Sequence, residues 1–282
     1  MFAEAWEKSG GETIYPIRLP HYVHTLLSRS LSFSIRKCNK VLILPTGWRI
    51  DSCAWPYCWK YEIVPMMWDL WPPMVQYFKK FLQRNKTKLV FCTQRQTVEK
   101  LSKECPDVEF VWIPEGIDVS LYSKGLPLHK RSVDLFSYGR NNSILADLES
   151  IQCNKLLSSS GFSFKKLTDT LQDSKITLCV PRCDTCPEQA MGIETLTQRY
   201  WECMLSGTLL VGRAPQELVD ICGYNPVINI GLDSCATVQS VLSNLTSYQE
   251  LANRNYQTAM DIAGWDKRMP IIKKALKKYC NE

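Results

Sequence analysis

The most regular feature of the chain is an alternation of short β-branched apolar runs with longer stretches whose apolar positions recur every three or four residues. The alternation is strongest after residue 86. Residues 88–92 (KLVFC) read as a strand buried on both faces, because almost no position is left for solvent. They run into residues 93–104, a predicted helix in which Thr93 and Gln96 have capping-box spacing. Residues 108–113 form the next predicted strand, and the loop signal Pro114-Glu-Gly-Ile-Asp118 ends it. A linker over 120–131 precedes a second series. There the pattern predicts strands at 133–137, 162–167, 176–180, 208–211 and 226–230. It predicts helices at 144–157 and 195–205, a short one from Gln216, and helical segments to the end. Strands alternating with helices of this length predict parallel sheets covered by helices on both faces.

The first ninety residues are less regular. A helix is expected over 22–35 and strands over 40–45 and 61–64, with aromatic-rich stretches (WPYCW at 55–59, WDLWPP at 68–73) between and after them. The organisation expected is two Rossmann-like doubly wound α/β domains facing a cleft. The first, over 1–127, is short for its type and has no clear opening strand. The second spans 128–264, and a basic helix over 265–282 packs back on the first.

Composition narrows the function classes. At 282 residues, 45% hydrophobic and 22% charged, the chain is neither disordered nor fibrous. No run approaches the ~18 apolar residues of a membrane span, and the start carries Glu4, Glu7 and Lys8 where a secretory signal needs an apolar core. A cytoplasmic protein is expected. Its 13 cysteines are read as reduced thiols, and the N-x-[ST] triplets at Asn85, Asn141 and Asn244 as chance. The net charge of +6 suits phosphate-bearing ligands or an anionic surface and is low for a nucleic-acid protein, so no nucleic-acid partner is expected. Only His21, His24 and His129 exist, none beside two carboxylates or thiols, so no metal and no cofactor are expected. Cys183-Asp-Thr-Cys186 has the spacing of half a zinc site or a redox pair. No second pair accompanies it, and Pro181 and Pro187 predict a loop there.

Ligands of open α/β sheets bind at strand C-terminal ends. After the strand over 133–137 comes Tyr138-Gly-Arg-Asn-Asn142, where Gly139 permits close backbone approach and Arg140 can fork onto a phosphate. The denser constellation is Glu194-Thr-Leu-Thr-Gln-Arg-Tyr-Trp-Glu202, ahead of Ser206-Gly207. Thr195 and Gln198 suggest a second capping box, Thr197 lies at the same helix start, and a helix start attracts a diphosphate. Arg199 can neutralise phosphate, and Glu202, an acceptor-only carboxylate, suits a pair of sugar hydroxyls. The same spacing also suits a surface Arg–Glu pair worth about 0.2–0.5 kcal/mol.

These segments resemble the GT-B glycosyltransferases. Glu194 and Glu202 match an E-x7-E signature, followed by helix, glycine and the strand TLLVG. Ile113-Pro-Glu-Gly-Ile-Asp-Val119 is similar to the segment before the interdomain linker. Phe136-Ser-Tyr-Gly-Arg140 resembles the strand end that opens the donor domain, and Trp265-Asp-Lys-Arg268 the crossing-back terminal helix. The resemblance covers roughly residues 86–270. It implies that Glu202 holds the ribose hydroxyls of a nucleotide sugar, UDP- or GDP-linked, that Arg140 contacts the diphosphate, and that Glu194 touches the donor sugar. Two features depart from the pattern. Thr195-Leu-Thr197 replaces a glycine-rich turn, and Asn141-Asn142 stand where a lysine is usual. Arg199 fits a divergent branch with a tlRxfE pattern and takes over that positive charge, with Arg182 a further candidate.

The resemblance implies metal-independent glycosyl transfer to a glycan or lipid-linked acceptor, as in polysaccharide assembly. Asp69 is the one ionisable group in Pro65-Met-Met-Trp-Asp69, where relatives carry a catalytic side chain, so Asp69 is the expected acceptor-side base. The basic segment from Lys267 to Lys278 is the expected site of peripheral membrane contact, with Ile271, Ile272, Ala275 and Leu276 inward. The competing reading is a non-catalytic nucleotide-sugar or carbohydrate-binding relative.

Overall fold

The computed structural model describes residues 1–14, 22–23, 26, 40–47, 50–139, 151, 153–158, 162–231 and 233–281. Helix α1 (Phe2–Lys8) is followed by β1 (Val41–Thr46), α2 (Ile50–Ala54), β2 (Glu62–Met67) and α3 (Pro72–Asn85). Then come β3 (Leu89–Cys92), α4 (Arg95–Glu104) and β4 (Glu109–Trp112). The second series is β5 (Val133–Tyr138), β6 (Lys155–Ser158), α5 (Phe164–Asp173), β7 (Ser174–Cys179), α6 (Arg182–Thr185), α7 (Pro187–Ala190), α8 (Gln198–Leu205) and β8 (Leu209–Gly212). It closes with α9 (Gln216–Cys222), β9 (Val227–Asn229), α10 (Ser234–Ser243), α11 (Leu245–Ile262) and α12 (Met269–Asn281).

The chain divides into two compact units. One holds residues 6–114, 188–193 and 268–282; the other holds 1–5, 115–187 and 194–267. The first contains a four-stranded sheet ordered β1-β2-β3-β4, the second a five-stranded sheet ordered β6-β5-β7-β8-β9. Every strand pair is parallel. These are the two Rossmann-like α/β units that the alternating pattern predicts.

Burial explains why the strands form where they do. All four residues of β3 and all four of β8 are buried, as expected for strands covered on both faces. In the four-stranded unit, Val75, Phe78, Phe81 and Leu82 of α3 pack with Val90, Cys92 and Leu101. In the five-stranded unit, Leu135 and Phe136 of β5 point to opposite faces. Phe136 joins Tyr200, Trp201, Met204 and Leu205 of α8, while Leu135 joins Ile176, Leu178, Leu209, Val211 and the helical Val238 and Val241. Arg131 enters this second unit as a buried cation. It donates to the carbonyls of Leu126 (2.7 Å), Ser174 (2.8 Å), Ser206 (3.2 Å) and Leu171 (3.4 Å). Burial lowers its pKa to about 10.

Several sequence expectations are corrected. The predicted helix over 144–157 runs into β6 at its end. The strand expected over 162–167 is the beginning of α5. Ser163 caps that helix by accepting a hydrogen bond from the Lys166 N–H (3.3 Å), and its Phe-Ser-Phe alternation mimics a strand. Helix α4 starts at Arg95 with Gln94 as N-cap, so Thr93 does not cap it; Thr93 N–H instead donates to Met67 O (3.1 Å) along the sheet. Helix α8 starts three residues later than expected, with Thr197 rather than Thr195 at its N-cap and no capping bond from the Thr197 side chain. The Cys183–Cys186 segment is a helical turn, not an irregular loop. On α12, Ile272 and Ala275 are buried, whereas Ile271 faces solvent. The helix expected over 22–35 lies outside the described residues apart from Tyr22, Val23 and Leu26, which are helical. Among the described residues, no helix is long and apolar enough to cross a membrane.

Candidate functional site

The five-stranded unit brings together the C-terminal end of β5, the first turn of α5 and the exposed side of α8. Helix α8 presents its apolar residues Tyr200, Trp201, Cys203, Met204 and Leu205 to the core. Helical periodicity therefore turns Gln198, Arg199 and Glu202 the other way. Two tethers orient this face. Gln198 Nε2 donates to Glu115 Oε1 (3.0 Å) and Trp201 Nε1 donates to Glu115 O (2.9 Å), so the loop after residue 114 is bound to α8.

Glu202 stands at the centre. Tyr138, the last residue of β5, donates its hydroxyl to Glu202 Oε2 at 2.6 Å, and Tyr122 donates to Oε1 at 3.2 Å. Burial, reinforced by Glu202, holds both phenols well above their usual pKa of 10.0. They therefore remain donors and Glu202 remains the acceptor. Two ionised carboxylate oxygens have about four lone-pair positions, so two tyrosines leave room for a further pair of hydroxyls.

The Arg199 guanidinium lies over the Tyr138 ring, 5.0 Å from its centroid. Gly139 makes this possible. Its φ is +78°, and a Cβ there would stand 2.3 Å from Arg199 Nη2. Glycine adopts the left-handed backbone without strain and leaves the cation room where it lies. Arg140 lies outside the described residues.

Glu194 has a different surrounding. Arg213, just after β8, contacts Glu194 through Nη1 and forks onto Asp184 at 2.6 and 2.7 Å, with Cys183 Sγ 3.2 Å from Nη2. The second Glu194 oxygen accepts from Gln216 N–H at the start of α9 (3.1 Å). Glu217, buried within α9, returns the favour by accepting from Leu196 N–H (3.0 Å). These two carboxylates exchange backbone hydrogen bonds between the 194–197 loop and α9. Thr195 is buried in that loop, whereas Arg182 opens α6 and is half-buried. Asp184 also binds Arg213 in the segment that resembled half a zinc site. Among the described residues, no group of three or more His, Cys, Asp or Glu side chains could hold a metal ion, and every cysteine is a free thiol.

Asp69 belongs to the four-stranded unit. It follows β2, is exposed, and adopts a left-handed backbone (φ 53°) whose carbonyl accepts from Trp71 N–H (2.8 Å). Left-handed φ is uncommon outside glycine, and aspartate is among the residues that tolerate it best. Trp55 and Trp71, from the aromatic-rich stretches at 55–59 and 68–73, are buried.

Sequence reasoning missed Tyr122, Arg213 and Glu217. Arg213 closes the run TLLVGR, so its place at a strand end was a usable signal. Tyr122 is 80 residues from Glu202 in the chain, and no local pattern announces that pairing.

No family model matches the sequence, and no curated protein matches it. Solved structures do resemble it. Sucrose-phosphate synthase from Thermosynechococcus elongatus superposes with a TM-score of 0.61 at 10% identity, covering 85% of this chain and 74% of that one. TarM gives 0.57 at 10% identity, covering 90% and 57%. A glycosyltransferase from Rickettsia africae ESF-5 gives 0.53 at 10% identity, covering 98% and 86%. With the two parallel sheets, these likenesses show the fold: the chain has the two-unit α/β architecture called GT-B.

Proposed function

We propose that the protein is a glycosyltransferase that moves a sugar from a UDP- or GDP-linked donor to a glycan or lipid-linked acceptor without a resident metal. The observation that carries this reading is the arrangement around Glu202 in a GT-B fold: a carboxylate with spare acceptor capacity, Arg199 one turn before it, and a helix start without a side-chain cap. Two of the solved structures that share the fold support it by their names, one as a sucrose-phosphate synthase and one as a glycosyltransferase. In this reading Glu202 accepts from the ribose diol, while Arg199 and the first N–H groups of α8 stabilise the diphosphate as it leaves with the bonding electron pair. Gly139, Thr195, Thr197, Arg182 and Arg140 are assigned to the same donor site. Asp69 is the acceptor-side base: it takes the proton of the acceptor hydroxyl, whose oxygen then bonds to the anomeric carbon. Peripheral membrane contact is assigned to α12 and the residues before it, where Lys267, Lys273, Lys274, Lys277 and the apolar Ile271 are exposed. A cytoplasmic site of action accords with this assignment.

A second reading, a non-catalytic nucleotide-sugar or carbohydrate binder, is favoured by one observation. Both Glu194 oxygens are engaged, by Arg213 and by Gln216 N–H, so that carboxylate is already spent on the fold. Calorimetry with UDP, GDP and their sugars, run beside donor-hydrolysis and transfer assays, separates the readings. Binding with turnover supports the transferase; binding without either hydrolysis or transfer supports the binder. An absence of nucleotide binding at millimolar concentration sinks both.

A further inference from the structure

We propose that Phe164 is the stacking platform for the donor nucleobase and a determinant of nucleotide affinity. This rests on the reading of Glu202 as the ribose-holding carboxylate. A lone exposed phenylalanine needs no explanation; its neighbours supply one here. Phe164 is the first residue of α5 and is 47% exposed. Its ring meets the Tyr122 ring at 5.6 Å and 77°, and the Tyr122 hydroxyl donates to Glu202. An open aromatic face therefore stands one tyrosine ring from the carboxylate.

The surroundings extend the same pattern. Phe162 meets Phe136 edge-on at 5.7 Å and 83°, and the Lys166 ammonium lies 4.8 Å over the Phe162 ring. Phe136 stacks on Tyr138 at 5.0 Å, and Arg199 covers Tyr138. An aromatic strip thus runs from α5 to the end of β5, with a carboxylate in its middle and one cation toward either end. That combination fits the three parts of a nucleoside diphosphate: a flat ring for the base, an acceptor-only group for the diol, and positive charge for the phosphates. The Phe164 side chain offers a face and no hydrogen-bonding group, so it recognises the base by overlap.

The experiment is calorimetric titration of the full chain with UDP, GDP and, as a ligand lacking a base, ribose 5-phosphate. Phe164→Ala, Phe164→Leu and Phe164→Tyr are compared with the unmodified protein, each checked for folding by circular dichroism. Phe164→Ala and Phe164→Leu are expected to weaken nucleoside diphosphate binding by about tenfold, ~1.4 kcal/mol. Phe164→Tyr, which keeps the ring, restores it, and ribose 5-phosphate is unaffected throughout. Leucine separates stacking from simple apolar cover, since it keeps the bulk and loses the π face. Unchanged UDP and GDP affinity in Phe164→Ala overturns the platform while leaving the donor-site reading intact. A parallel loss for ribose 5-phosphate also overturns it, because Phe164 would then act on the shape of the site. If the unmodified protein binds neither nucleotide, the functional reading fails, and the platform with it.

Discussion

Two turns leading from the sheets into helices show how little position alone decides. In the five-stranded unit, α8 begins with Gln198 and Arg199, its N-cap Thr197 contributes no side-chain oxygen, and Glu202 follows one turn later. In the four-stranded unit, α3 begins with Pro72 and Pro73 after the N-cap Trp71, and the exposed Asp69 lies in the turn before it. Both starts carry the positive end of a helix dipole. Proline has no N–H, so α3 has lost its first two donors, whereas α8 keeps the corresponding groups and adds a guanidinium. The first turn carries a guanidinium and the second follows a carboxylate. The same architecture therefore sets opposite charges at two helix starts, and a handful of residue identities make the difference.

Five experiments can break or sharpen that contrast, taken from the largest effect to the smallest. Asp69→Asn keeps the size of the side chain and removes its charge. Transfer is expected to fall 10²–10⁴-fold with nucleotide affinity unchanged, as for loss of a general base; a fall in affinity would show that the turn after β2 also serves the donor. Arg131→Leu leaves four carbonyls without their buried donor and should cost on the order of 3 kcal/mol in urea unfolding. An unfolding midpoint close to that of the unmodified protein would show that water replaces the cation.

Glu202→Ala should weaken UDP or GDP binding tenfold or more, at about 1.5–3 kcal/mol for hydrogen bonds to a charged group, and titration calorimetry measures it. Gly139→Ala forces an L-residue into left-handed φ and pushes on Arg199, at roughly 1–2 kcal/mol for the backbone alone. A thermal melt and the same titration should both register it. The smallest effect concerns pH. Burial raises the Tyr138 and Tyr122 phenols above 10.0, so the unfolded chain gives up these protons before the folded one does. Their stabilisation is complete below pH 10 and is lost as pH climbs beyond it. Urea midpoints between pH 8 and 11 test this, and Tyr138→Phe should flatten the alkaline decline.

The strands were legible because a parallel strand buried on both faces leaves a continuous apolar run, as β3 and β8 do. Helix starts were not. The Thr93 and Thr195 patterns both look like capping boxes, yet Thr93 belongs to the sheet and Thr195 is buried in a loop that Glu217 holds from 21 residues away. Long-range partners of this kind override a local cap. The same limit hid Tyr122 and turned the Phe162–Phe164 alternation into a false strand. Arg199, Glu202 and Gly139 could be picked out because each carries its chemistry in its own identity. Their meaning depended on Tyr138 and Tyr122, which give no sequence sign of whom they touch.

The exchange between Glu194 and Glu217 has a mechanical consequence. Each carboxylate holds a backbone N–H of the other's segment, so the 194–197 loop and the N-terminus of α9 are stitched twice in opposite directions. A displacement of one must carry the other or break two charge-assisted bonds at once. The approach to α8 is therefore a stiff frame, and Arg199 and Glu202 rise from a backbone already set in place.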